Sequence, residues 1–73
     1  MREAGTIRER IFQALIKRYT AEGEAALVKI DSLLQGKVLP GHEDVMGSID
    51  KQIAKVAFAE EKMATLRRHY GTN

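Results

Sequence analysis

The sequence predicts an all-α fold, an antiparallel two-helix hairpin with helices over about residues 7–35 and 42–70, and three features carry that prediction. Two amphipathic runs of matching length each repeat apolar residues at intervals of three and four, the period of a helix with one buried stripe. A short reversal containing Gly36, Pro40 and Gly41 separates them. Neither run shows the alternation of a strand.

The first run, Thr6 to Gln35, organises the rest. Phe12, Ile16, Tyr19, Gly23, Ala26, Ile30 and Leu33 alternate steps of four and three along it, which keeps one narrow seam facing a partner. A helix of that length extends about 44 Å, so the seam needs an equally long neighbour. Thr6 is placed as the N-cap, with Glu9 three residues on to complete a capping box. Ile7, Ile11 and Leu15 flank the seam, and Leu27 and Leu34 extend it, so the apolar stripe is wider than a strict two-per-heptad seam. Gly23 costs about 1 kcal/mol in a helix interior relative to alanine. The seam keeps its phase across it, which favours one continuous helix and close backbone approach over a hinge.

Gly36 stands where a left-handed C′ residue is wanted. Val38 and Leu39 fall outside the period and are expected over the end of the core. Glu43 and Asp44 supply negative charge for the first turn of the second helix. That helix carries Val45, Met46, Ile49, Ile53, Val56, Ala59, Met63, Leu66 and Tyr70. The two successive steps of three from Ile53 to Ala59 predict one phase drift. Arg67, Arg68 and His69 complement the last-turn carbonyls, and Gly71 marks the stop. Residues 1–5 and 71–73 are expected to fray, leaving 1–73 as a single domain. Arg18 and Glu22 form the one opposite-charge pair four apart, so packing rather than surface charge must hold the hairpin.

A chain of 73 residues buries little apolar surface on its own. Without cysteine it has no disulfide or thiolate–metal support, which leaves association as the remaining aid. Dimerisation into a four-helix bundle follows as an expectation, or else capture of a helix from another protein. The interface residues expected are Phe12, Ile16, Tyr19, Gly23, Ala26, Ile30, Leu33, Ile49, Ile53, Val56, Met63 and Leu66. No apolar run approaches the 18 or so residues a membrane span needs, and no signal-peptide pattern opens the chain, so a cytoplasmic, membrane-free protein is the expectation.

Chemistry has few groups to work with. A hairpin puts His42 and His69 at opposite ends, and consecutive His42, Glu43 and Asp44 lack the i, i+4 spacing of a helical zinc pair. No histidine is placed to activate Ser32 or Ser48, and no phosphate-cradling glycine loop occurs. Neither an enzyme, a cofactor nor a small-molecule substrate is expected. A net charge of +2 does not by itself imply nucleic acid. The hairpin does gather Arg8, Arg10, Arg18, Arg67 and Arg68 at its open end, as small RNA-binding helical bundles do, which makes nucleic-acid binding the alternative to an accessory, chaperone-like or structural interaction role.

Overall fold

The computed structural model describes residues 6–36 and 44–71. They form two helices, α1 (Ile7–Leu34) and α2 (Val45–Tyr70), packed against each other along their length. The pairing is antiparallel. Moving along α1 from Thr20 to Gly23, the partner on α2 falls back from Met63 to Ala59. The expected turn at 37–41, the frayed ends at 1–5 and 72–73, and the expectations on Val38, Leu39, His42 and Glu43 lie outside the described residues.

The start of α1 is the predicted capping box. Glu9 donates its backbone N–H to Thr6 Oγ1 at 3.1 Å, and the Thr6 N–H reaches Glu9 Oε1 at 3.2 Å. The helix then runs unbroken through Gly23 for 28 residues. Leu34 is its last residue, Gln35 is the C-cap, and Gly36 takes the left-handed conformation at φ 71°. The second helix starts later than expected. Asp44 stands outside it as the N-cap, with its carboxylate accepting the Gly47 N–H at 3.0 Å. An aspartate serves the free N–H groups better there than from inside the first turn. At the other end α2 stops at Tyr70, with Gly71 donating to the Arg67 carbonyl at 3.0 Å.

The hairpin measures 56 × 24 × 15 Å, and a helix with its side chains is about 10–12 Å thick. It is therefore one layer of helix, where stable domains close two layers around a core. Only Ala26 and Ala59 are buried apolar side chains, at 3% and 2% exposure. The larger seam residues Phe12, Ile16, Tyr19, Ile30, Leu33, Ile49, Val56, Met63 and Leu66 are half-buried.

The expected phase drift in α2 is absent. Gln52 is buried at 9% exposure and Ile53 is half open to solvent at 50%. The seam of α2 is thus Val45, Ile49, Gln52, Val56, Ala59, Met63, Leu66 and Tyr70, in unbroken steps of four and three. The physical reason is that a rigid 3.5-residue period must be kept opposite an equally regular α1. One isoleucine next to the seam cannot shift the phase of a whole helix.

Candidate interaction surface

The register is set at the waist. A Cβ built on Gly23 stands 3.5 Å from the Ala59 Cβ, and the small residues Gly23, Ala26 and Ala59 let the backbones approach there. The steps of the seam then place Ile16 level with Leu66, Ile30 with Gln52 and Leu33 with Ile49. Phe12 falls level with Tyr70, one turn beyond Leu66.

With heptad positions a and d assigned to the seam, positions e and g line its two sides, and antiparallel helices bring e beside e and g beside g. Two contacts fix which side is which. Thr20, at an e position, directs its Oγ1 to Met63 Sδ at 3.4 Å. Lys62, at a g position, holds its Nζ 5.3 Å from the centre of the Tyr19 ring on the opposite side. That cation–π contact contributes about 0.5–1 kcal/mol at an exposed site.

The two sides of the slab differ in chemistry. Its g side carries Arg8, Leu15, Glu22 and Lys29 from α1 with Ser48, Lys55, Lys62 and His69 from α2. Leu15 is the one large apolar residue there, and it is half-buried. The e side changes halfway along. Towards the open end it carries Gln13, Thr20, Glu60 and Arg67, and towards the turn it carries Leu27, Leu34, Met46 and Ile53. All four of the last group are exposed, Met46 to 81% and Leu34 to 69%. They fall within about 10 Å of one another along the helix axes. The other exposed apolar residues are dispersed: Ile11 and Phe58, at c positions, lie about 20 Å apart in height.

Apolar cover is missing in amount as well as in place. The chain exposes 5832 Å², whereas a compact monomer of its mass, 8.2 kDa, exposes about 4500 Å². The excess of about 1300 Å² is larger than the roughly 800 Å² each partner contributes to a standard interface.

Of the twelve residues expected at a partner interface, eleven lie on the internal seam, where the two helices already cover them in part. Ile53 alone lies off it, on the exposed e side. Sequence reasoning placed Leu27 and Leu34 beside the seam and Met46 on the apolar run. It did not join them into one patch, because that requires the register between the helices.

The arginines expected at the open end are all exposed and close in height, but they do not share a face. Arg8 belongs to the g side and Arg67 to the e side, while Arg10, Arg18 and Arg68 point outward. Arg18 Nε pairs with Glu22 Oε2 at 3.3 Å, the one ion pair among the described residues, and both side chains are well hydrated. Such a pair adds little stability. Arg68 Nη2 donates to Thr65 Oγ1 at 3.4 Å. Among the described residues no three histidine, aspartate or glutamate side chains converge on a metal-sized site, and no helix is long and apolar enough to cross a membrane.

These features define a class: a single-layer helical hairpin with a closed small-residue waist, one hydrated side and one side that is apolar over its turn-proximal half. Compared with family models, curated proteins and solved structures, the chain finds no match.

Proposed function

We propose that the chain is a non-catalytic protein–protein interaction module, a helical hairpin that self-associates to complete a four-helix bundle. The observation that carries this reading is the mismatch between core and exposed apolar surface. Two alanines are the buried apolar side chains, while Leu27, Leu34, Met46 and Ile53 are open to water. A layer so poorly covered gains stability from a second layer, and a two-fold dimer is the simplest source. The role is accessory or structural, with seam residues such as Ile16, Val56 and Leu66 holding each hairpin together for presentation.

Sedimentation equilibrium across protein concentration, run with far-UV circular dichroism, tests the reading. Helix content and mass that rise together support it. A well-folded monomer at every concentration removes it.

Nucleic-acid binding at the open end is the second reading, and the equal height of Arg8, Arg10, Arg18, Arg67 and Arg68 favours it. Their spread around the circumference makes it weaker, since phosphate contacts along one strand need charges on one face. Affinity for RNA that falls steeply with salt and disappears when these arginines are neutralised would establish it in place of the first.

A further inference from the structure

We infer that a second copy of this chain docks on the e side of the slab, with the patch of Leu27, Leu34, Met46 and Ile53 meeting the same patch of its partner across a two-fold axis. This rests on the self-association reading above and adds to it the face that is used.

Three observations assign the face. The patch is contiguous, spanning both helices within about two helical turns, whereas exposed apolar residues elsewhere stand singly, as they do on ordinary protein surfaces. The opposite side carries Lys29, Lys55, Lys62 and His69, whose burial against their own copies would bring like charges together. The surface in excess of a compact monomer, about 1300 Å² per chain, gives about 2600 Å² over two copies, within the range of obligate homodimers.

A second copy is the occupant because an isologous contact needs a self-complementary surface, and an apolar patch is self-complementary by its chemistry. Helices that contribute a, d and e positions to a core are those of a bundle, whereas a two-stranded pair uses a and d alone. In the bundle so formed, Met46 supplies an unbranched side chain that adapts to its opposite number.

The experiment uses the full chain. Sedimentation equilibrium compares the unaltered protein with a patch variant, Leu27→Glu with Ile53→Glu, and with an opposite-side variant, Ile11→Glu with Phe58→Glu. The expected result is a dimer for the unaltered chain and the opposite-side variant, and at least a hundredfold weaker association for the patch variant. Because glutamates may not leave the hairpin folded, single cysteines provide a second measurement in a chain that has none of its own. Met46→Cys and Leu27→Cys are expected to give disulfide-linked dimers on mild oxidation, and Phe58→Cys is not. A dimer that survives the patch variant, or that crosslinks only through position 58, overturns the assignment of the face while leaving self-association standing. A monomeric unaltered chain overturns both.

Discussion

Gly23 and Ala59 meet at the centre of the hairpin with room for one more methyl group: a Cβ on Gly23 would stand 3.5 Å from the Ala59 Cβ, an ordinary van der Waals separation. Gly23 also has helical backbone, so alanine fits there without strain. Gly23→Ala is therefore expected to stabilise the protein by about 1 kcal/mol, by removing unfolded-state entropy and adding apolar contact. Thermal unfolding at fixed protein concentration checks this, with an expected rise of about 4–8 °C in Tm. Gly23→Leu would force the helices apart and lower it. A fall in Tm for the alanine variant would mean the waist is tighter than described.

Gln52 occupies a seam layer level with Ile30, where an apolar side chain would pack better. No fully buried side-chain nitrogen or oxygen among the described residues lacks a partner, and no described group bonds the Gln52 amide, so that amide keeps some access to water. Gln52→Leu is expected to raise stability by about 1 kcal/mol. A polar seam residue also limits which registers and assemblies are acceptable. Light scattering is thus expected to show a broader distribution of oligomers for Gln52→Leu than for the unaltered chain.

Gln52 also marks where the sequence is hard to interpret. Thr6 with Glu9, Gly36 and Arg18 with Glu22 were legible because each depends on residues within one helical turn. The continuity of α1 through Gly23 was legible because the phase on either side agrees. Ile53 was taken for the seam and Gln52 passed over because hydrophobicity stood in for position. A strict count in fours and threes from Ala59 back through Val56 leads to Gln52. Asp44 could be read as first-turn charge or as cap, a difference of one residue that charge alone does not decide. The patch on the e side was illegible for a different reason: Leu27 and Ile53 become neighbours only once Gly23 is known to oppose Ala59.

Asp44 and Gly47 act as a pair at the start of α2. A Cβ on Gly47 would run into the Asp44 carboxylate that caps the helix. Gly47→Ala is accordingly expected to yield much less stabilisation than Gly23→Ala, because the propensity gain is offset by displacement of the cap. Asp44→Ala should cost about 1 kcal/mol. In the double variant Asp44→Ala with Gly47→Ala the conflict is gone, so the alanine at 47 should recover its propensity gain. Chemical denaturation of the four proteins forms a double-mutant cycle, and a coupling energy near zero would show that the two positions act independently.

Salt separates the two functional readings because the hairpin is charged unevenly along its length. Among the described residues the turn-proximal half carries Glu22, Glu24, Asp31, Asp44 and Asp50 against Lys29, Lys51 and Lys55, and the open end carries most of the arginines. A dimer that sets patch on patch brings two net-acidic halves together, so screening relieves repulsion while leaving apolar burial in place. Self-association is expected to strengthen as sodium chloride rises from about 0.05 to 0.5 M, where the Debye length shrinks well below 10 Å. Binding of phosphate groups by the open-end arginines would weaken over the same range through counterion release. Sedimentation equilibrium and RNA titration at matched salt concentrations measure both slopes. A dimer that dissociates as salt rises would indicate that opposite charges hold the copies together, which a patch-on-patch arrangement does not supply.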